Sequence, residues 1–220
     1  MLELDGLNDH LQSLDAIDRI RLVYDLGLTT VGTTSGGDTS AVTLHLAKLA
    51  VPETKIPFLF VDTGFYDAET YRLIERFEER YKKPEDREYD IRVYTSNVSR
   101  ARVEALYGRI WEDSATLARF NEMVKHAPLN EAFEELDVEV WIRGIMRWET
   151  PERSEADFIE LRNGVYRVHP ILDWSEDKVG KYMDRYDLPR NPGHDDPTKG
   201  PNRNLECKLD EAGRKPVYRI

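Results

Sequence analysis

The chain contains one cysteine, Cys207, in 220 residues. That excludes an intramolecular disulfide and any four-cysteine zinc or iron–sulfur site built from this chain alone. No stretch reaches the roughly 20 apolar residues that a membrane-spanning helix needs. The start, Met1-Leu2-Glu3-Leu4-Asp5, is too acidic for a signal peptide, so the expected compartment is the cytoplasm. Positive charge is in deficit: 31 Lys and Arg stand against 42 Asp and Glu, a net charge of −11. Neutralising a phosphate backbone takes a basic surface, so neither nucleic acid nor membrane is expected as a partner. The five histidines, His10, His45, His126, His169 and His194, follow no HExxH or Cys/His spacing, and no metal site is expected. GxSxG, the Gly-Lys-Ser/Thr of a Walker A loop and GxGxxG are also missing.

What is present is a globular composition, 40% hydrophobic and 33% charged, long enough for one domain with a sizeable core. Residues 1–27 carry apolar positions at helical spacing and end at Gly27. Leu28–Thr34 is β-branched and reads as a strand, followed by a glycine turn and a helix from Thr39 to Leu49. Ile56–Val61 is a second apolar strand, then a helix runs from Glu69 to Tyr81 and a strand over Ile91–Tyr94. Residues 99–123 and 129–136 read as helical, and Val138–Ile142 as a strand. Phe158–Leu161 and Val165–Val168 flank Arg162-Asn163-Gly164, the pattern of a hairpin. A last helix follows Ser175, its expected N-cap, and runs through Tyr186. Alternating strands and helices predict an α/β fold: a Rossmann-like, mainly parallel sheet with helices on both faces and a loop-rich C-terminal tail. The expected organisation is one domain over 1–190, including the N-terminal helical segment, and a mobile segment 191–220 that carries Cys207.

The strongest local signal is Thr33-Thr34-Ser35-Gly36-Gly37-Asp38-Thr39-Ser40, set between a strand and a helix. Glycines let the backbone approach an anion, amides and a helix N-terminus point at it, and five hydroxyls add donors. An ordinary capped turn is the plainer reading, but the place at a strand's C-terminal end favours an anion site. Asp62-Thr63-Gly64 ends the second strand on the same sheet edge; taken alone it is an Asx turn capping the next helix. Arg143, Arg147 and Arg153 follow the strand Val138–Ile142, where a guanidinium can meet phosphate or sulfate oxygens. His45 is expected to pack on the core, and His194 is a weak metal candidate. Cys207 lies in a polar stretch between Arg203 and Lys208, which favour a thiolate, with Glu206 opposing it. Local chemistry leaves reactive and inert readings of this cysteine open.

Taken together, these segments resemble the thioredoxin-dependent phosphoadenylyl-sulfate (PAPS) reductases of the PP-loop, adenine nucleotide alpha-hydrolase-like superfamily. The likeness runs from about Thr29 to Asp210. Thr33–Leu46 is similar to the family's modified PP-loop and helix. Val61-Asp62-Thr63-Gly64-Phe65-Tyr66 with Glu69-Thr70-Tyr71 is similar to its DTGxxFPETY segment, and Tyr107–Glu112 to YGxLWE. Trp141-Ile142-Arg143-Gly144-Ile145-Met146-Arg147 through Arg153 resembles WxxGLRRxQSxxR, and His169–Trp174 resembles the PIIDW block. Glu206-Cys207 falls where the family has ECGLH. The chain departs from the pattern in reading ECKLD there, and in carrying Met146 for the first arginine of the usual pair.

The resemblance implies an enzyme of sulfate assimilation that reduces PAPS to sulfite and adenosine 3′,5′-bisphosphate. Cys207 is the implied nucleophile, attacking the sulfate sulfur to form a cysteine S-sulfonate that thioredoxin or glutaredoxin resolves. The implied substrate-binding residues are Thr33, Thr34, Ser35, Gly36, Gly37, Asp38, Thr39, Ser40, Asp62, Thr63, Gly64, Gly144, Arg147 and Arg153, the two arginines offsetting charge on the leaving phosphate. No bound cofactor is implied. The [4Fe–4S] cluster of related adenylyl-sulfate (APS) reductases needs cysteines this chain lacks. A homodimer is the expectation by family analogy. Two alternatives stand beside this reading: a PP-loop ATP pyrophosphatase in nucleic-acid sulfur modification, and a non-catalytic nucleotide-binding homologue. The pyrophosphatase loop SGGxDS has its aspartate fifth, whereas here Asp38 comes one place early and Thr39 stands fifth.

Overall fold

The computed structural model describes residues 2–79, 81–110 and 114–191. Six strands form one sheet: β1 Thr30–Thr33, β2 Pro57–Asp62, β3 Asp90–Thr95, β4 Val140–Ile142, β5 Ile159–Arg162 and β6 Val165–Val168. Their spatial order is β3-β2-β1-β4-β6-β5, parallel throughout except for the antiparallel edge strand β5. The first three strands are laid down in one direction from β1, and the chain then returns to place β4 on β1's other side. The strand order therefore reverses between β1 and β4, where an open α/β sheet forms its ligand crevice.

The helices among the described residues are α1 Leu4–Ser13, α2 Ala16–Tyr24, α3 Asp38–Ala50, α4 Ala68–Glu78, α5 Arg100–Tyr107, α6 Ser114–Asn121, α7 Ala127–Glu135, α8 Pro151–Ser154 and α9 Glu176–Arg185. The helical segment expected over 1–27 consists of two helices. Asp15 breaks it by accepting hydrogen bonds from the Ile17 and Asp18 amides, which caps a new start. The stretch 99–123 is likewise divided: α5 ends at Gly108, which has φ +69°. Its last residues belong to a π-helical turn, Glu122–His126, that leads directly into α7. The hairpin forms as expected, with Asn163 and Gly164 both at positive φ (53° and 85°), the backbone of a tight turn with the sheet's twist.

Alternation along the strands sorts the core onto both sheet faces. Phe58, Phe60, Val140, Ile142 and Val168 pack with residues of α2, α3, α4 and α9. Val31, Leu59, Trp141 and Val165 face the other way, onto Leu129, Ala132 and Phe133 of α7. A third cluster, Phe65, Val103, Phe120 and Val124, roots the loop after β2 on α5 and α6. Gly32 is needed between β1 and β2, because a Cβ there falls 2.4 Å from the Phe58 ring. Among the described residues, no helix is long and apolar enough to cross a membrane.

Candidate active site

The glycine turn sits at the C-terminal end of β1, at the strand-order reversal. The Thr34 amide bonds the Leu59 carbonyl at 3.0 Å, which continues the sheet into the loop. Gly36 then turns the chain with φ +80°, a conformation L side chains rarely adopt. The loop's own hydroxyls shape it. Thr34 Oγ1 accepts from the Gly36 amide (3.3 Å), and Ser40 Oγ accepts from the Ser35 amide (3.4 Å) while donating to the Gly37 carbonyl (2.8 Å). Gly37 is the N-cap of α3 and brings no side chain to cap it, so the helix's first-turn amides meet the crevice without a side-chain cap. Thr39 accepts at its carbonyl from Thr43 Oγ1 (2.8 Å). Gly144, just beyond β4, packs on this same turn: a Cβ there lies 2.5 Å from Thr43 Oγ1 and 2.9 Å from the Thr39 carbonyl oxygen.

Asp62-Thr63-Gly64 reaches the same edge at the end of β2. Asp62 Oδ1 accepts from the Gly64 amide (2.8 Å), an Asx turn, and from the Tyr71 hydroxyl (2.6 Å). It does not cap the next helix as expected; Asp67 does, accepting from the Thr70 amide at 2.7 Å. Arg147 and Arg153 leave β4 for the β5 side. Arg147 donates to the Ala156 carbonyl through Nε and Nη2 (both 3.3 Å), with its guanidinium 5.2 Å from the Phe158 ring centroid. Arg153 is buried and ion-paired to Glu149, which also accepts from the Met146 amide.

The structure adds contacts that the sequence did not show. The Trp141 indole donates to Thr33 Oγ1 (3.0 Å), joining β4 to the glycine turn's first residue. The guanidinium carbons of Arg143 and Arg167 lie 4.6 and 5.5 Å from the Trp141 ring centroid. His169 is almost fully buried beside them, its Nδ1 2.7 Å from the Asp157 carbonyl, so that nitrogen carries the proton. Burial first, then the charge of Arg143, pushes the His169 pKa down to about 3. At the end of α9, Arg190 reaches Asp38 (3.0 Å) and Asp184 (2.7 Å), and Asn191 Nδ2 donates to the Gly36 carbonyl (3.2 Å) and Thr70 Oγ1 (2.8 Å). An isolated Arg-Asn after a helix carries no sequence signal, since its partners Asp38, Gly36 and Thr70 lie more than a hundred residues away. Arg167 shares its face of the short strand β6 with Val165 and carried no signal of its own in the sequence.

Cys207 and His194 lie outside the described residues, as do Trp111 and Glu112 of the YGxLWE-like stretch. Among the described residues, no group of three or more His, Cys, Asp or Glu is placed to hold a metal ion. A cleft of about 570 Å³ between the α1–α2 turn and α9 is lined by Arg19, Asp173, Trp174, Lys178 and Tyr182, among others. None of its lining residues belongs to the glycine turn or to a strand end.

A mainly parallel sheet whose strand order reverses beside a glycine-rich turn and a helix N-terminus defines an α/β protein of the open, doubly wound class. The phosphoadenosine phosphosulfate reductase domain matches residues 29–197, and the chain belongs to that family of sulfate-assimilation oxidoreductases. It is similar to the phosphoadenosine 5′-phosphosulfate reductase of Synechococcus sp., with 38% identity over 170 residues, 76% of this chain and 70% of that protein. The reductase of Xanthomonas euvesicatoria pv. vesicatoria is 34% identical over 192 residues, 86% of this chain and 76% of that one. In fold, the chain is similar to the crystal structure of phosphoadenylyl-sulfate reductase from Candida auris in its phosphate complex. The TM-score is 0.70 at 22% identity, covering 87% of this chain and 90% of the other.

Proposed function

We propose that the protein reduces PAPS to sulfite and adenosine 3′,5′-bisphosphate, with Cys207 as nucleophile and thioredoxin or glutaredoxin as electron donor. The observation that carries this reading is the family match across residues 29–197, which spans the glycine turn, Gly144, Arg147 and Arg153. The Cys207 thiolate attacks the sulfonate sulfur. The bond from sulfur to the bridging oxygen breaks, the nucleotide leaves with that oxygen, and Cys-S-SO₃⁻ remains. A thiolate of the reduced donor then attacks Cys207 Sγ and expels sulfite. The donor's second thiol closes its disulfide and frees Cys207. The donor dithiol loses two electrons and sulfur gains them.

In this reading the glycine turn and the α3 N-terminus receive the phosphosulfate end, where negative charge builds on the leaving phosphate. Arg147 and Arg153 serve that charge as well. With one cysteine in the chain, the S-sulfonate has no internal thiol to resolve it, which supports an outside dithiol. The ATP pyrophosphatase reading is weaker. Asp38, the loop's carboxylate, lies in the first turn of α3 and is ion-paired to Arg190, a poor ligand for magnesium.

The test mixes the protein with PAPS, thioredoxin, thioredoxin reductase and NADPH. Sulfite is expected from the wild type and none from Cys207→Ser. Omitting thioredoxin is expected to leave one SO₃ on the Cys207 peptide by mass spectrometry. Undiminished turnover by the serine variant overturns the nucleophile, and pyrophosphate release from ATP without sulfite favours the alternative.

A further inference from the structure

The chain that leaves α9 turns back towards the glycine turn through a helix-ending reversal. Asp187 takes φ +49°, and the Leu188 amide bonds the Met183 carbonyl at 3.0 Å, which closes the helix as a Schellman motif. Leu188 then packs against the core. Arg190 reaches back to α9 through the Gly180 carbonyl (3.1 Å) and Asp184 (2.7 Å), and across to Asp38 in the first turn of α3 (3.0 Å). These contacts set Asn191 against the glycine turn, where Nδ2 donates to the Gly36 carbonyl (3.2 Å) and to Thr70 Oγ1 of α4 (2.8 Å). A carbonyl can only accept, so it is the nitrogen of the Asn191 amide that faces Gly36.

Gly36 is buried, and side chains hold both of its backbone groups: Thr34 Oγ1 takes the amide and Asn191 the carbonyl. The peptide that joins it to Gly37 is trans, so its N–H points opposite to its carbonyl. Tying the carbonyl to Asn191 therefore aims the Gly37 N–H away from Asn191 and Thr70. Gly37 is the N-cap of α3, next in line with the amides that open that helix. A flip of this one peptide would take a donor out of the row and put a carbonyl oxygen in its place, which repels an anion. Between two glycines no Cβ resists such a flip, so an outside contact has to oppose it.

We propose that Asn191 is a positioning residue of the nucleotide site: it holds the Gly36–Gly37 peptide in the orientation that receives an anion. This role rests on the PAPS reading above, in which the glycine turn takes the phosphosulfate end. Both Nδ2 hydrogens are committed, one to Gly36 and one to Thr70, so the Asn191 amide nitrogen acts through the turn and not on the ligand.

Calorimetry on the full chain with adenosine 3′,5′-bisphosphate tests this, with urea unfolding of the unliganded protein beside it. Asn191→Ala is expected to weaken binding about tenfold. Asn191→Asp reads the donor directly. Its carboxylate repels the Gly36 carbonyl, whereas its protonated form offers that carbonyl one O–H. Its affinity relative to wild type is expected to recover about threefold or more from about pH 7.5 to 5.5, while the deficit of Asn191→Ala stays constant. Taking the ratio to wild type cancels the titration of the ligand's own phosphates. Arg19→Met, which loosens the fold away from the turn, is expected to lower the urea midpoint and keep the affinity. An Asn191→Ala affinity within about twofold of wild type, an aspartate deficit that ignores pH, or an equal loss in Arg19→Met overturns the inference. So does a wild type that does not bind the bisphosphate. These arms separate the inference from the enzymatic reading. Sulfite release with unchanged affinity in Asn191→Ala defeats the inference alone, and the expected affinity pattern without sulfite release defeats the enzymatic reading alone.

Discussion

Gly144 follows β4 on the crevice edge, and its missing side chain is what lets that strand end lie on the first turns of α3. A Cβ would overlap the Thr43 hydroxyl at 2.5 Å and the Thr39 carbonyl at 2.9 Å, and the second of these is backbone that cannot swing away. Gly144→Ala must therefore push β4 from α3 or tilt the glycine turn. A loss of about 1–3 kcal/mol in urea unfolding is expected, as for other overpacked sites, with weaker binding of adenosine 3′,5′-bisphosphate. Unchanged stability and affinity would show that the contact yields freely. The glycine-rich turn itself was legible in the sequence because its signal is local: two glycines and five hydroxyls between a strand and a helix. The need for glycine at 144 was not, because it comes from Thr39 and Thr43 on another element.

At the scale of elements, the N-terminal helices are bound to the segment between β6 and α9 through one residue. Arg19 is 2% exposed and donates from α2 to the Leu11 and Pro170 carbonyls (both 2.8 Å) and to both oxygens of Asp173 (2.7 and 3.0 Å). Its guanidinium also lies 4.0 Å from the Phe158 ring centroid. Arg19→Met keeps most of the packing but strands the two carbonyls and the carboxylate. About 2–4 kcal/mol of destabilisation is expected by chemical denaturation. Asp173→Asn is expected to cost less, since Asp173 is partly exposed and Arg19 keeps its backbone acceptors. A cost of Arg19→Met no larger than that of Asp173→Asn would mean that the carbonyl contacts contribute little. Helix and strand positions followed apolar periodicity well here, and the Asn163-Gly164 turn and Ser175 cap followed local chemistry. The break at Asp15 and the end of α5 at Gly108 escaped because apolar spacing runs through both; capping decided them.

For the molecule as a whole, pH stability is governed by histidines that fold into places favouring the neutral ring. His45 and His126 are held below the usual histidine range, in each case chiefly by burial, and His169 is pushed down to about 3. A histidine with a lowered folded pKa takes up its proton on unfolding. Its contribution is fully present above about pH 6.5 and is lost as pH falls towards the folded value. Asp173 adds a lower limb: burial raises its pKa, but the Arg19 bond and charge outweigh that and hold it low, so its contribution fades only below the ordinary carboxylate range. Stability is therefore expected to decline from about pH 6.5, well before the carboxylates titrate. Each full proton steepens the slope by about 1.4 kcal/mol per pH unit. His169→Asn, which can keep a donor for the Asp157 carbonyl, is expected to flatten the limb between about pH 6 and 4; an unchanged slope in urea titrations at stepped pH rejects His169 as its source. By itself the sequence determined the α/β alternation, the glycine-rich turn after β1 and the lack of cysteines for a cluster, because periodicity, turn chemistry and residue counts act over a few neighbours or over none. The tertiary structure decided the strand order, the antiparallel edge, the Arg143–Trp141–Arg167 face and the meeting of Asn191 with Gly36. Those depend on cross-strand register and on contacts more than a hundred residues apart, which no local pattern encodes.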